Sequence, residues 1–434
     1  MKKILPKQIA GILNAITAIS KKMGCRSYIV GGLVRDMLLG VKNFDLDIVI
    51  EGNAIRFGKL LAKTLKGTLV VHKQFGTATV FIDWPKGVTK PLFAGKKFKI
   101  DLARARRESY EKPAALPTVE FCSLRNDLSR RDFSINAMAV SLNKYNFGEL
   151  MDFFNGAEDL KNKKIHVLHR QSFIDDPTRI FRAVRFEQRY GFKIDRHTEH
   201  LIKNAVKKKM FKKTQNQRIR EEVIHILKEP FPIKAIMRLK ELHELKFLHE
   251  NIVINPSTER LFKRIKEEIG LNKRSKKRKP LDEYLIYLLG LLDNLTAREA
   301  KGFLDKFVFQ KNDKKKILNY KTVLPAAGRI LSKKTKVRPS EIYDTLKNRS
   351  CETLIMLKTK IDNRTASSRI SAFINKYSGI KLKLDGHDLK KIGIKPGPRF
   401  KILMTSVLYA KIDNGFKLKK DEMLFLKHAS KQCK

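Results

Sequence analysis

Asn43-Phe-Asp-Leu-Asp-Ile-Val-Ile50 decides how the start of this 434-residue chain is read. Ile48 to Ile50 have the apolar, β-branched character of a buried strand. Side chains two apart on a strand project from the same face, so Asp45 and Asp47 stand side by side. Two carboxylates held together repel each other unless a cation neutralises them. With hard oxygen ligands the natural cation is Mg²⁺, shared with substrate phosphates. Asp101, in Lys99-Ile-Asp-Leu-Ala103, ends a later strand and could supply a third carboxylate. For an isolated Asp-x-Asp, a solvated strand edge is the plainer alternative. The upstream context weighs against it: Tyr28-Ile-Val-Gly-Gly-Leu-Val-Arg-Asp36 reads as a short strand, a Gly-Gly turn and a helix start. Glycines let the backbone approach a bound group, and free N–H donors at a helix start favour an anion such as a triphosphate. Arg35 would add a charged fork for phosphate oxygens.

Around this core, short apolar runs recur at Ser27–Val30, Leu46–Ile50, Leu69–Val71, Ala78–Ile82 and Phe98–Leu102, with helical spacing over Asn53–Leu65. That predicts an α+β lobe built on a mixed sheet. From about Asp175 the strand signals fade, and helical periodicity takes over in Arg179–Tyr190, Arg196–Lys207, Ile219–Lys228 and Ile233–Leu245. Leu271 to Pro280 holds six basic residues and no acid, which predicts an exposed linker or loop. Ile392-Gly-Ile-Lys-Pro-Gly-Pro398 marks a turn between later helices. The fold class is therefore α+β, a mixed-sheet head followed by an all-helical, basic trunk.

Composition narrows the partners. The length suggests roughly three domains at about 150 residues each. A formal net charge of +49 calls for a polyanion or a very large surface. Nucleic acid leads, and an anionic membrane comes second. The membrane option weakens because the sequence has no apolar run of about 18–20 residues. The first residues, MKKILPKQIAGILNAITAISKKMG, are basic at the start but read as an amphipathic helix with Pro6 near its beginning, not as a signal peptide, so a cytoplasmic address is expected. Cys25, Cys122, Cys351 and Cys433 form no C-x-x-C, which argues against a zinc ribbon or a disulfide framework. His197 and His200 lack a ligand set around them and read as helix surface.

Leu128-Ser-Arg-Arg-Asp-Phe-Ser-Ile-Asn-Ala-Met-Ala-Val140 comes next. Ser129 with Asp132 three residues on could form a capping box. On a helix Asp132 and Asn136 would share a face, a carboxylate and a carboxamide able to hold ribose hydroxyls, with Arg131 toward phosphate. In order, Gly31-Gly-Leu-Val-Arg-Asp36, Asp45-Leu-Asp47, Arg130-Arg-Asp-Phe-Ser-Ile-Asn-Ala137 and Asp175-Asp-Pro-Thr-Arg-Ile-Phe-Arg-Ala-Val-Arg-Phe186 resemble the bacterial class II tRNA nucleotidyltransferases. That group comprises CCA-adding enzymes with their CC-adding, A-adding and poly(A) polymerase relatives. The four matches span about Tyr28 to Ile194, and Leu384–Pro398 is similar to a segment in the tail of bacterial members. The resemblance implies a nucleotidyltransferase head like that of DNA polymerase β over 1–150. A neck with a base template over 151–215, an RNA-binding body over 216–335 and a tRNA-binding tail over 336–434 would follow. It also implies Mg²⁺, ATP and CTP as substrates, and the tRNA acceptor arm as partner; no obligatory protein partner is inferred. By the same resemblance Gly32, Arg35, Arg131, Asp176, Arg179, Arg182 and Arg185 contact the incoming nucleotide.

The neck motif has its own chemistry: Arg179, Arg182 and Arg185 recur every three residues, which predicts a basic stripe down one side of a helix. Cytosine and adenine both present a donating amine beside an accepting ring nitrogen, and an Asp–Arg pair such as Asp176 with Arg179 is the complement. Asp176 before Pro177 also has the form of an ordinary helix cap. The family's usual Glu-Asp-x-x-Arg is Asp175-Asp-Pro-Thr-Arg179 here, which touches a supporting position and leaves the base-reading pair intact. Leu201 to Arg220 contains eight Lys/Arg and no acid, and Lys207, Lys208, Lys209, Lys212, Lys213 and Arg218 are candidate RNA contacts. Arg104 to Glu120 corresponds to a mobile loop that is shortened in CC-adding members and is not truncated here, so CC addition alone is the least expected activity. A poly(A) polymerase acting on other RNAs is the alternative enzyme, and a non-catalytic RNA-binding protein is the alternative of another class.

Overall fold

The strand-forming runs of the head build one sheet. The computed structural model describes residues 7–85, 97–109, 111, 114, 118–242, 245–274 and 281–432. Strands β1 (Arg26–Val30), β2 (Leu46–Glu51), β3 (Thr68–His72), β4 (Thr77–Ile82), β5 (Phe98–Arg104), β8 (Met138–Ser141) and β9 (Leu150–Asp152) form a seven-stranded sheet in the order β3-β4-β5-β2-β1-β8-β9. The β2–β5 pairing is parallel and the other neighbours are antiparallel, as the mixed-sheet expectation requires. Between β5 and β8, β6 (Arg106–Ser109) and β7 (Thr118–Phe121) make a separate two-stranded hairpin.

Alternation along the strands sends the two sheet faces to different ends. Leu46, Ile48 and Ile50 of β2 join Ile100 and Leu102 of β5 in a core covered by helices α1 (Ala10–Met23) and α3 (Ala54–Thr64). Val49 points the other way, into a smaller cluster with Tyr28, Val30, Leu124 and Leu128. Asp47 shares the Val49 side by strand alternation. The carboxylates therefore face away from α1 and α3. Helix α2 (Gly32–Leu38) follows β1 through Gly31, whose φ of +73° suits glycine, and α4 (Leu124–Ser129) packs beside the smaller cluster.

Downstream lie α5 (Gly156–Lys161), β10 (Lys164–Ile165), α6 (Ser172–Asp175), α7 (Arg179–Tyr190), β11 (Lys193–Ile194), α8 (Arg196–Lys207) and α9 (Asn216–Leu227). β10 and β11 pair in parallel, so this region is not purely helical. The chain divides into two compact units, Met1–Ile226 with Lys234–Phe247, and Leu227–Ile233 with Leu248–Lys434. The described part of the second unit is helical. Glu283–Leu291 is buried along nearly its whole length, Gly290 lets Phe262 and Ile265 approach, and a further cluster gathers Leu384, Leu389, Leu403, Val407 and Leu426. Among the described residues no helix is long and apolar enough to cross a membrane.

Two local expectations are corrected. Residues 271–274 are the last turn of the helix Pro256–Arg274, where Lys273 and Arg274 sit near its exposed carbonyls, and 275–280 lie outside the described residues. Ser129 is the last residue of α4 and donates to the Asn126 carbonyl at 2.9 Å, so it caps nothing downstream. The helix does not continue because Phe133 is extended, fully buried and bridged to Val167.

Candidate active site

The β2–β5 register places Asp47 directly opposite Asp101. Asp45 precedes β2 by one residue. Carboxylate oxygens of Asp45, Asp47 and Asp101 all lie within 4.8 Å of one another. Asp101 is held by the Thr79 hydroxyl at 2.7 Å and by Lys99 at 2.5 Å. Burial, then the charges of Asp45 and Asp101, push Asp47 up to about 6, with Arg131 and Lys99 only partly offsetting them. A set of hard oxygen donors in mutual repulsion fits a divalent cation.

Beside it is a cleft of about 630 Å³, lined by Gly31, Gly32, Asp45, Asp47 and a wall of arginines. A Cβ on Gly31 would come within 2.9 Å of Arg131, so glycine there makes room for that guanidinium. Arg131 is fixed by Asp127 at 3.1 Å, and Arg130 by Asp127 and Glu108, both at 2.8 Å. Arg35 is 5% exposed. Asp36 holds it at 2.8–2.9 Å, its guanidinium lies 4.7 Å from the Tyr190 ring centre, and it donates to Asn136 at 2.6 Å.

Asp132 and Asn136 do meet, although not on a helix: Asn136 Nδ2 donates to Asp132 Oδ1 at 3.0 Å across the turn that leads into a short 3₁₀ segment. Arg182 donates to the other Asp132 oxygen at 2.6–2.8 Å. Burial alone would raise Asp132, but Arg182, Asn136 and Arg179 outweigh it and hold the carboxyl at about 2.

Asp176 has extended backbone, and its Oδ1 accepts from the Thr178 N–H at 3.1 Å and the Thr178 hydroxyl at 2.6 Å. It thus caps the start of α7 while also lining the cleft. Its Oδ2 pairs with Arg218 at 2.6 Å. Arg218, expected among RNA-facing residues, is therefore a cleft residue and the ion-pair partner of Asp176. Arg179 donates instead to Ser172 Oγ at 2.5 Å and to the Arg130 carbonyl at 2.7 Å.

The three-residue arginine stripe of α7 does not stay together. At about 100° per residue, positions 179, 182, 186 and 189 keep within an arc of roughly 80°, while 185 lies roughly 120° from 179. Arg179, Arg182, Phe186 and Arg189 line the cleft accordingly. Arg185 lies off that lining, 3.7 Å from Glu222 and against Phe186. Lys207, Lys208, Lys209, Lys212 and Lys213 are exposed at the end of α8 and on the turn that follows, away from the cleft lining. Asp36, Asp127 and Arg189 were not anticipated. The signals for them were Asp127 three and four residues before Arg130 and Arg131, and the i, i+3, i+7, i+10 spacing of α7.

Comparison with known proteins bears on this geometry. An A-adding tRNA nucleotidyltransferase of Halalkalibacterium halodurans is 30% identical over 398 residues, 90% of this chain and 85% of that protein. The chain belongs to the tRNA nucleotidyltransferase family. Residues 27–166 match the poly A polymerase head domain. A solved Thermotoga maritima CCA-adding enzyme complexed with tRNA has a TM-score of 0.74 and 31% identity, covering 98% of this chain and 96% of that one. Another relative, an A-adding tRNA nucleotidyltransferase of Geobacter sulfurreducens, is 36% identical over 427 residues, 98% of this chain. The chain spans less than half the length of that relative, 47%, and 43% of its Aquifex aeolicus counterpart. Nucleotidyltransferases of this family generally use a divalent metal, and the Asp45–Asp47–Asp101 set has the donor chemistry for one.

Proposed function

We propose that this tRNA nucleotidyltransferase transfers a nucleotide from ATP to the 3′ end of tRNA with release of pyrophosphate. The observation that carries the proposal is the juxtaposition, around one cleft, of an unbalanced carboxylate set and a wall of prepositioned guanidinium groups. Asp45 and Asp47, joined by Asp101, would hold Mg²⁺. The chemistry Mg²⁺ supplies at such a set is acidification of a hydroxyl nucleophile and neutralisation of a departing pyrophosphate. Gly32, Arg35 and Arg131 bind and orient the triphosphate. Asp132 and Asn136 hold the ribose.

Asp176 and Arg179 read the base edge. A carboxylate offers about four lone-pair sites. Thr178 uses two on Asp176 and Arg218 one, so acceptor capacity remains for the amine of adenine or cytosine. Arg182 supports this wall through Asp132, and Arg185 acts behind it rather than on the nucleotide.

On this reading the head spans 1–150, the neck 151–215, the body 216–335 and the tail 336–434. The exposed lysines from 207 to 213 are assigned to the RNA backbone, and the cytoplasm is the compartment. Addition of the terminal A is favoured over full CCA addition by the A-adding relatives that align along nearly the whole chain.

The test is incubation of the chain with Mg²⁺, labelled ATP or CTP, and tRNA ending either before the CCA sequence or in CC. Label from ATP on the CC-ended tRNA, with none from CTP on the shorter one, is expected. CTP incorporation on the shorter tRNA would make the activity CCA addition. Labelling of unrelated RNAs as readily as tRNA would make it a poly(A) polymerase, and no label at all would leave a binding protein.

A further inference from the structure

Asn43 is half-buried in the turn between α2 and β2, and its amide is committed in two directions. Oδ1 accepts from the backbone N–H of Asp45 at 2.8 Å. Nδ2 donates to Asp36 Oδ2 at 2.8 Å. A flipped amide would set its NH₂ against the Asp45 N–H and its oxygen against the Asp36 carboxylate, so the hydrogen bonds fix the orientation.

Each end of this link is itself tied down. Asp36 Oδ1 accepts from Arg35 Nε at 2.9 Å, and Arg35 Nη1 donates to Asn136 Oδ1 at 2.6 Å. Asn136 Nδ2 donates to Asp132 Oδ1 at 3.0 Å, and Arg182 Nη2 lies 2.6 Å from Asp132 Oδ2. The polar chain therefore runs Arg182–Asp132–Asn136–Arg35–Asp36–Asn43–Asp45. One end is on the neck helix and the other at the metal-binding carboxylates.

Group transfer needs this continuity. Reacting atoms must be held about 3–3.5 Å apart, and an error of about 1 Å can cost 100-fold in rate. The groups that hold the nucleotide sit on α2, α7 and the segment before β8, whereas Asp45 sits ahead of β2. The turn joining α2 to β2 exposes Val41 and Lys42, and it is tied back to Asp36 by the Val41 N–H at 2.8 Å and by Asn43. We propose that Asn43 is a positioning residue that locks the nucleotide-holding Arg35–Asp36 pair to the metal-holding Asp45, so that both halves of the site keep one spacing. This rests on the nucleotidyltransferase reading of the cleft.

The test uses the full chain carrying Asn43→Ala, Asn43→Asp or Asp45→Ala, with melting temperature measured for each. Mn²⁺ binding is read from the electron paramagnetic resonance signal of the free ion, which does not depend on turnover. Asn43→Ala should melt like the wild type and bind Mn²⁺ about two- to tenfold more weakly, the loss expected for one hydrogen bond to the Asp45 backbone. The metal concentration for half-maximal incorporation should rise with it.

Asn43→Asp separates locking from mere turn formation. It keeps an acceptor for the Asp45 N–H and forms such turns as well as Asn does, but it faces Asp36 with a second carboxylate. Asn43→Ala and Asn43→Asp should both lose kcat at saturating metal, and to the same extent. Wild-type kcat in Asn43→Asp would overturn the proposal, leaving Asn43 as a turn former. Unchanged Mn²⁺ affinity in Asn43→Ala, with binding lost in Asp45→Ala, would overturn the link and leave the metal site standing. Unchanged Mn²⁺ affinity in both would overturn the link together with the metal assignment. If wild type binds Mn²⁺ but extends no tRNA, the function proposal fails and the link is judged on Mn²⁺ binding alone.

Discussion

On the sheet wall of the cleft three carboxylates crowd within 4.8 Å of one another, and Lys99 pairs with one of them. On the helical wall the guanidinium groups already have acids: Arg35 with Asp36, Arg131 with Asp127, Arg182 with Asp132, and Arg218 with Asp176. Both walls are polar, yet one holds an excess of like charge and the other is internally balanced. The excess can be relieved only from outside, by a cation or a proton. The balanced wall is oriented before anything arrives, which is the condition for reading shape and edge pattern without reorganisation. Arg179 departs from the pattern: Ser172 and a backbone carbonyl hold it, and no acid pairs with its guanidinium in the hydrogen bonds and ion pairs described. Its charge helps to keep Asp132 ionised without a direct ion pair, and the proposed function assigns it to the base edge as well.

One effect that could break this contrast is on nucleotide choice. Asp176→Asn keeps the cap on Thr178 but replaces an obligate acceptor, and Arg179→Ala removes the donor beside it. At about 1–3 kcal/mol per mispaired group, discrimination for A against U and G should fall about 5- to 150-fold in either variant. Incorporation of all four nucleoside triphosphates is the measurement. Selectivity equal to wild type in both would mean that the balanced wall orients phosphate only.

A second prediction concerns the unbalanced wall without metal. The Asp47 carboxyl sits at about 6 when folded, above its ordinary value of 3.8. Between those values the folded state binds more protons than the unfolded one, so this group's contribution to stability falls as pH rises through the window. Asp47→Asn should therefore melt higher than wild type at pH 8 in EDTA, with the gain shrinking as pH falls from 6 toward 4. Melting curves over that range check it, and a gain independent of pH would contradict the repulsion.

The smallest expected effect sharpens the helical wall. Arg182 lines the cleft and Arg185 does not. Arg182→Ala should raise KM for ATP severalfold, whereas Arg185→Ala, next to Glu222, should act mainly on melting temperature. Equal effects on KM would place both on the nucleotide.

Much of this was legible in the sequence because it depends on near neighbours. The five strand runs and the neck helix Arg179–Tyr190 follow from local periodicity, and Asp45 with Asp47 follows from strand alternation. Asp132 and Asn136 were paired for the wrong reason. The expected helix is broken by burial of Phe133, yet the turn that replaces it still brings their side chains together. The arginine stripe of α7 misled because a period of three drifts around a helix of 3.6 residues per turn. The Asp176–Arg218 pair spans 42 residues, and no local pattern announces it. Asn43 is likewise unremarkable in sequence, since its role depends on where Asp36 ends up.

The most direct test of the account is to remove the carboxylates one at a time and follow transfer and binding separately. Asp45→Ala and Asp47→Ala should each lose incorporation of labelled ATP into CC-ended tRNA by several orders of magnitude, given the share of such catalysis that rests on the bound cation. The affinity of each variant for tRNA at moderate salt should stay close to wild type, because the proposed lysine contacts to the RNA backbone lie away from these carboxylates. Incorporation within about tenfold of wild type in either variant would contradict the claim that the unbalanced wall is the catalytic one.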